Sequence, residues 1–114
     1  MRVFVTGASG FIGNAVVPEL VTAGHEVLGL ARSETSASVV KNLGASVHRG
    51  DLDDLDGIRE AAAAADGVIH LANKHDWARP EVSNQAERAA VDTISQTLAG
   101  SGRPFVLAAG LAGF

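Results

Sequence analysis

Three glycines, spaced three residues apart, follow the first apolar run of the chain. The run Arg2 to Thr6 is β-branched and aromatic, which is typical of a buried strand and too short for a buried helix. Gly7, Gly10 and Gly13 follow this run, and a helix-like segment begins at Phe11. A strand, a glycine turn and a helix in this order predict the first βα unit of a parallel sheet.

Strand-like and helix-like segments alternate along the rest of the 114 residues, without a Pro/Ser-rich linker or a repeat of fixed period. This alternation predicts an α/β protein, and right-handed crossovers make it a doubly wound parallel sheet, most simply with five strands in the order 3-2-1-4-5 and flanking helices. Since a domain holds roughly 150 residues, we expect residues 1–114 to form one domain. The predicted strands are 2–6, 26–31, 46–49, 67–72 and 103–109, and the predicted helices are 11–23, 33–43, 53–65 and 80–99.

Apolar spacing predicts how the helices pack. In the first helix Ile12, Val16, Leu20 and Ala23 fall on one face, which we expect to be buried. Five consecutive alanines at 61–65 favour the third helix and let it approach the sheet closely. With 46% apolar residues but only four Phe and one Trp, the core must consist mainly of Ala, Val, Leu and Ile.

Composition excludes several classes of function. The chain has no cysteine, which excludes disulfides, thiolate nucleophiles and Cys-ligated zinc and fits a reducing compartment. Thirteen acids against nine Lys and Arg, with no basic cluster, argue against a nucleic-acid partner. No apolar run reaches the roughly 18 residues of a membrane span, and the first residues lack the apolar region of a signal peptide. We therefore expect a cytoplasmic protein without a membrane partner.

The glycine turn is a candidate anion site. A tight strand-to-helix turn needs positive φ at Gly7, close approach of the backbone to a pyrophosphate excludes a Cβ at Gly10, and close helix-to-strand packing excludes one at Gly13. The N–H groups and the positive dipole end of the following helix attract a diphosphate, to which Ser9 can add a donor. The alternative is a glycine-rich turn that serves only compact packing.

Four motifs in order carry a family resemblance. They are Thr-Gly-x-x-Gly-x-x-Gly at 6–13, Ala-Gly-His-Glu-Val at 23–27, Gly-Asp-Leu at 50–52 and His-Leu-Ala at 70–72. With them, all 114 residues resemble the Rossmann part of the extended and atypical short-chain dehydrogenase/reductase superfamily, the NAD(P)-dependent epimerase/dehydratase-like proteins. The cofactor-binding residues expected from the turn, the strand ends and this resemblance are Gly7, Ala8, Ser9, Gly10, Phe11, Ile12, Gly13, Arg32, Ser33, Asp51, Leu52, Leu71, Ala72 and Asn73.

The resemblance also implies roles after the third and fourth strands. Asp51 would accept a hydrogen bond from the adenine amino group, and Leu52 would contact the ring. Ala72 and Asn73 would lie where the family places its backbone against the cofactor ribose. A rival interpretation makes Asp51 the N-cap of the helix that begins near Asp53.

The end of the second strand indicates which dinucleotide is bound. NAD-selective Rossmann domains carry an acid there for the ribose hydroxyls, but this chain has Arg32 followed by Ser33, with Glu34 expected inside the next helix. A guanidinium pairs with a 2′-phosphate through two donors and stacks on adenine, so NADP(H) is favoured over NAD(H). Alternatively, Arg32 only caps an exposed turn.

The histidines give weaker signals. His25 and His48 are expected to be structural or surface residues, and His70, among apolar neighbours of the fourth strand, is expected to be a core histidine with its hydrogen bonds made. His75 and Asp76 follow that strand and are interpreted as ordinary loop residues in preference to substrate contacts. No spacing of ligands suggests a metal site.

The family's catalytic groups are missing. The resemblance implies hydride transfer with a Tyr-x-x-x-Lys pair and a Ser or Thr at the end of the fifth strand. This chain has no tyrosine, its only lysines are Lys41 and Lys74, and the predicted fifth strand ends in Ala108 and Ala109. We therefore expect no catalytic residue in these 114 residues.

Two explanations remain open at this stage. The chain is either the cofactor-binding part of an NADP-dependent reductase or epimerase, truncated and inactive alone, or a dinucleotide-binding sensor or interaction module without catalysis. The helix at 80–99 and the fifth strand would leave an apolar side uncovered, which favours truncation over the module; a second copy or a partner chain is the other expected cover for this side. The substrate is not specified by these residues.

Overall fold

The computed structural model describes residues 1–8, 11–50, 54–71 and 80–107, with the backbone alone at 11–12, 80–87 and 107. Strands and helices alternate along this part of the chain, as the sequence predicts. In chain order the elements are β1 Arg2–Thr6, α1 Phe11–Thr22, β2 Glu26–Ala31, α2 Glu34–Asn42, β3 Ser46–Arg49, α3 Leu55–Ala64, β4 Gly67–His70, α4 Pro80–Leu98 and β5 Phe105–Leu107.

The five strands form one parallel sheet in the order β3-β2-β1-β4-β5, which confirms the predicted topology. The chain runs outward from β1 to β3, and then crosses to β4 on the other side of β1. Parallel neighbours need such helical crossovers, because a tight turn joins only antiparallel strands. All carboxyl ends therefore lie at one edge of the sheet.

Helices cover both faces of the sheet, and β1 contributes to both. Val3 and Val5 face α1 and α2, whereas Phe4 faces α3 and α4, because successive side chains of a strand point to opposite faces. The core is built from small aliphatic residues, as the composition predicts. Its buried members on the α1/α2 face are Val3, Val5, Ala8, Val17, Val27, Ala31, Ala37, Val40 and Ala45, and those on the α3/α4 face are Phe4, Leu30, Ile58, Ala61, Ala62, Ala65, Val68, Ala90, Ile94 and Leu98.

The predicted buried face of α1 is wrong by about one residue. Val17 is fully buried, while Val16 is only half-buried and Ala23 is exposed. The reason is that Gly13 packs against the turn after β1. This contact rotates α1 so that Gly13 and Val17, which lie one turn apart on the same face, point toward the sheet.

Side-chain caps begin α2 and α3. Ser33 is the N-cap of α2, where its hydroxyl accepts from the Ser36 N–H and the Ser33 N–H donates to the Ser36 hydroxyl, both at 3.1 Å. Asp54 caps α3 by accepting from the Gly57 N–H at 3.1 Å. This helix begins at Leu55, two residues later than predicted, because Asp54 supplies the cap.

Arg103 joins two helix ends at the edge opposite the carboxyl ends of the strands. Its guanidinium donates to the main-chain carbonyls of Ala62 at 3.2 Å, Ala63 at 3.0 Å and Ala65 at 2.7 Å, at the end of α3. It also donates to the Thr97 carbonyl of α4 at 3.4 Å. A cation at these ends satisfies carbonyls that have no partner within the helix and interacts favourably with both helix dipoles.

The strand β5 begins at Phe105, later than the predicted Arg103. The Arg103 N–H donates to the Ser101 hydroxyl at 3.1 Å, and Pro104 has no N–H to contribute to the sheet. In the described part of the chain, none of the helices is long and apolar enough to cross a bilayer.

Candidate functional site

The strands β1, β2, β3 and β4 all end at the carboxyl edge of the sheet. The first residues after these strands are Gly7, Arg32, Gly50 and Leu71. The chain reverses its direction of winding between β1 and β4, and open α/β sheets bind their ligands at the carboxyl edge beside such a point. The residues predicted at this edge are thus brought together wherever the structure describes them.

Gly7, the first residue of the glycine turn, adopts the backbone conformation that the sequence predicts. Gly7 has φ of 72°, a left-handed value that costs glycine little and other residues considerably more. Ala8, the next residue, is fully buried among the side chains of the α1/α2 face. The chain therefore turns sharply at the end of β1 and directs its backbone toward the start of α1.

Gly13 lies directly against this turn. A Cβ at this position would meet the main-chain oxygens of Gly7 and Ala8 and would lie 2.6 Å from the Ala8 carbonyl carbon. These are backbone atoms, which cannot move aside as a flexible side chain can. The predicted close packing of helix on strand is therefore confirmed, and it seats the first turn of α1 on the end of β1.

A fourth glycine contributes to this arrangement, and the sequence analysis missed it. Gly29 lies inside β2, where an added Cβ would be 2.9 Å from the Ala8 Cβ and 2.7 Å from Val40 Cγ1. Its missing side chain makes room for the turn above and for α2 beside it. An isolated glycine within a strand pattern is the signal that indicates such close approach.

The ends of β1 and β4 are joined by buried hydrogen bonds. The Thr6 hydroxyl lies 2.7 Å from His70 Nδ1, and both residues are fully buried. The Leu71 N–H donates to the Thr6 hydroxyl at 3.1 Å and to the Thr6 carbonyl at 3.1 Å. His70 is thus a core histidine, as predicted, but its pairing with Thr6 was not foreseen.

The carboxyl end of β2 presents a free cation. Arg32 is exposed, and its guanidinium has neither a hydrogen-bond nor an ion-pair partner in the described part of the chain. Ser33 uses its hydroxyl to cap α2 and to contact the Ser36 hydroxyl at 2.9 Å. Ser33 therefore supplies the N-cap of α2, and both interpretations of Arg32, a 2′-phosphate ligand or a residue of an exposed turn, stay predictions.

The acid closest to Arg32 in the sequence forms its ion pair with another arginine. Glu34 is the first residue of α2, as expected, and its Oε1 lies 3.5 Å from Arg49 Nη1 at the end of β3.

The N-cap of α3 is Asp54, so the structure gives no support to the alternative that Asp51 caps this helix.

His25 and His48 occupy structural or surface positions, as expected. His48, on the edge strand β3, makes an edge-to-face contact with Phe4 at 6.0 Å between ring centroids. His25 lies half-buried in the turn before β2. Among residues 1–8, 11–50, 54–71 and 80–107, the structure contains no group of three His, Asp or Glu side chains arranged to hold a metal ion.

Several predicted site residues lie outside the described residues, and their predictions stay predictions. They are Ser9, Gly10, Asp51, Leu52, Ala72 and Asn73, together with His75 and Asp76, and the side chains of Phe11 and Ile12.

Comparison with known proteins gives a consistent result. The model of the NAD dependent epimerase/dehydratase family matches residues 3–100. An uncharacterized protein of Saccharomyces cerevisiae is 46% identical over 108 residues, which are 93% of this chain and 36% of that protein. The decarboxylating sterol-4-alpha-carboxylate 3-dehydrogenase of Dictyostelium discoideum is 44% identical over 73 residues, 64% of this chain and 22% of that enzyme.

Solved structures match the fold. The UDP-glucose 4-epimerase of Thermus thermophilus, in complex with NAD, superposes with a TM-score of 0.72 at 27% identity, over 90% of this chain and 35% of that one. The chain thus spans about a third of the length of such relatives.

Proposed function

The chain belongs to the NAD dependent epimerase/dehydratase family, and from this premise we propose that the carboxyl edge of its sheet binds the adenosine diphosphate half of NADP(H). The observation that carries the proposal is the exposed Arg32 at the end of β2, where a family member selective for NAD would carry an acid.

The residues of the glycine turn fit a diphosphate. Gly7 has the positive φ that the turn requires, and the absence of a side chain at Gly13 lets α1 start immediately above β1. The first N–H groups of α1 have no acceptors within the helix and lie at the positive end of its dipole. A diphosphate held there would receive these hydrogen bonds, and no lysine or arginine of the turn is needed.

A second helix start fits the 2′-phosphate. The Ser33 cap satisfies the Ser36 N–H, and the Ser33 carbonyl accepts from Ala37, which leaves the N–H groups of Glu34 and Thr35 without an acceptor in the described part of the chain. These two donors lie beside Arg32. A 2′-phosphate at this point would pair with the guanidinium and accept from the helix N-terminus.

The choice of NADP(H) is a property proposed for this chain. The Thermus epimerase is described as a complex with NAD. In this chain the acid closest to the end of β2, Glu34, lies inside α2 and is paired with Arg49. This acid is therefore not at the tip of β2, where an NAD-selective domain carries the acid that binds the ribose hydroxyls.

Binding, and not catalysis, is the proposed role of these 114 residues. The nicotinamide of the bound cofactor would donate or accept a hydride in a reaction of the family's kind. The residues of this chain hold the adenosine end of the cofactor, and none is a tyrosine that could transfer the accompanying proton. We infer that the group that transfers this proton lies outside these 114 residues. The residues that bind the substrate are proposed to lie outside them as well.

The edge of the sheet at β5 is an expected contact for further polypeptide. Val106 lies on this edge strand and is 53% exposed. The strand has unpaired N–H and C=O groups on its outer side, and an exposed aliphatic side chain beside them favours contact with another chain or segment. We propose that the part of the protein corresponding to the other two thirds of the relatives, or a partner chain, covers this edge.

The test is the ligand preference of Arg32→Ala. Adenosine 2′,5′-bisphosphate and AMP differ only in the 2′-phosphate and need no nicotinamide site. We expect the variant to bind the bisphosphate at least about tenfold more weakly, since a hydrogen bond to a charged group contributes about 1.5–3 kcal/mol, while AMP affinity stays within about twofold. Isothermal titration calorimetry measures both dissociation constants.

The matched control is Arg59→Ala. Arg59 is also an exposed arginine, but it lies on α3 and is paired with Asp56 at 2.8 Å. This variant should leave both affinities unchanged. Equal losses for the two ligands in Arg32→Ala, or no binding of either ligand at millimolar concentration to the folded chain, would contradict the proposed function.

A further inference from the structure

Two arginines and one glutamate lie at the neighbouring ends of β2 and β3. The strands pair in parallel with Ala31 opposite Arg49, and the Gly50 N–H donates to the Ala31 carbonyl at 3.0 Å. Arg49 therefore lies beside the residue that precedes Arg32. Ala31 is buried against α2, and paired residues of neighbouring strands share a face, so the Arg49 side chain extends toward the start of α2.

At the start of α2, Arg49 meets Glu34. The distance from Arg49 Nη1 to Glu34 Oε1 is 3.5 Å, and the two side chains are 51% and 96% exposed. In the described part of the chain, Arg49 is the only ion-pair partner of this carboxylate. A carboxylate this exposed has few contacts of its own to fix its direction, so its pairing with Arg49 favours a position of the negative charge on the β3 side.

That position matters for an anionic ligand. Glu34 is the first residue of α2, so its carboxylate is attracted to the same positive helix end that would receive a 2′-phosphate. Without a partner, it would compete for the free N–H groups and repel a phosphate that carries about two negative charges at neutral pH. It is also only two residues from Arg32, with which it could pair in place of the ligand.

We propose that Arg49 is a positioning residue that sets the preference for the 2′-phosphate by holding the Glu34 carboxylate on the β3 side of α2. The inference rests on the proposed binding of NADP(H) and adds to it a residue that acts through Glu34. Arg32 and the α2 N-terminus contact the phosphate, while Arg49 keeps the competing carboxylate away from both.

The test compares Arg49→Ala, Glu34→Gln and the double variant in binding adenosine 2′,5′-bisphosphate and AMP by titration calorimetry. We expect Arg49→Ala to bind the bisphosphate about three- to fivefold more weakly, the size of effect that one partly exposed charge pair supports. AMP affinity should not change. Glu34→Gln should bind the bisphosphate at least as tightly as the original chain does.

The double variant isolates the route of the effect. If Arg49 acts through Glu34, adding Arg49→Ala to Glu34→Gln should change bisphosphate affinity by less than about twofold, because no carboxylate remains to be released. A loss of the same size in both backgrounds would overturn the inference, and so would equal effects on the two ligands or no effect at all. Urea unfolding of each variant verifies that it is folded.

Arg32→Ala separates this inference from the proposed function. If Arg32→Ala discriminates between the ligands and Arg49→Ala does not, the inference about Arg49 fails while NADP(H) binding stands. If Arg32→Ala does not discriminate, the proposed function fails and the inference fails with it. Arg59→Ala serves again as the matched control and should leave both affinities unchanged.

Discussion

Thr6→Val tests the buried link between β1 and β4 beneath the candidate site. The substitution keeps the branched shape of the side chain and replaces the hydroxyl by a methyl group. The hydroxyl lies 2.7 Å from His70 Nδ1 and also accepts the Leu71 N–H at 3.1 Å. Since Thr6 and His70 are fully buried, water cannot replace the lost hydroxyl.

The expected loss follows from these contacts. The Leu71 N–H keeps the Thr6 carbonyl as its acceptor at 3.1 Å, so this donor stays satisfied. The hydrogen bond to His70 is lost, and an apolar methyl group then faces a buried imidazole nitrogen. A buried hydrogen bond contributes about 1 kcal/mol, and depriving a buried polar atom of a partner costs about 1–3 kcal/mol. We therefore expect the free energy of unfolding to fall by about 2 kcal/mol.

The assay is urea unfolding followed by far-ultraviolet circular dichroism, with Thr97→Val as the matched control. The Thr97 hydroxyl donates at 2.8 Å to the Thr93 carbonyl within the same helix, in a half-buried position. Removing this bond should lower the free energy of unfolding by less than about 0.5 kcal/mol. A Thr hydroxyl that bonds to the carbonyl four residues earlier competes with the hydrogen bonds of the helix backbone, so its net contribution is small. If Thr6→Val lowers the free energy of unfolding no more than Thr97→Val does, the argument for a stabilising β1–β4 link is wrong.

Two further predictions concern the glycine turn and the helix ends. Gly13→Ala should lower the free energy of unfolding by about 1–3 kcal/mol and weaken AMP binding, because the new Cβ displaces the Gly7 and Ala8 backbone. Urea unfolding measures the first effect and titration calorimetry the second. Unchanged AMP affinity would contradict the role of this contact. Arg103→Ala should lower the free energy of unfolding by about 2 kcal/mol, since four main-chain carbonyls lose a charged donor. The control Arg59→Ala should lower it by less than about 0.5 kcal/mol. Equal losses in the two variants would refute the stabilising role of Arg103 at the helix ends.

Much of the fold could be predicted because its signals are local. The alternation of apolar runs predicted each strand and helix of the described residues, and the crossover rule gave the strand order. Errors occurred at boundaries and faces. The buried face of α1 is centred on Val17 because the close approach of Gly13 fixes the helix rotation, which apolar spacing alone does not determine.

The site was predictable in its backbone and less so in its side-chain partners. The positive φ of Gly7 and the tight packing of Gly13 follow from the glycine spacing. The role of Gly29 was missed, because a glycine within a strand has meaning only once Ala8 is known to lie above it. Its position inside an otherwise β-branched and aliphatic strand was the available signal.

The sequence by itself determined that strands and helices alternate, that the backbone turns at Gly7 and that it packs closely at Gly13, since these features depend on residues close together in the chain. Only the tertiary structure decided which side chains meet. Thr6 and His70 are 64 positions apart, and Glu34 and Arg49 are 15 apart. Each pair forms because sheet register and the facing of helices bring together residues that have no local reason to interact.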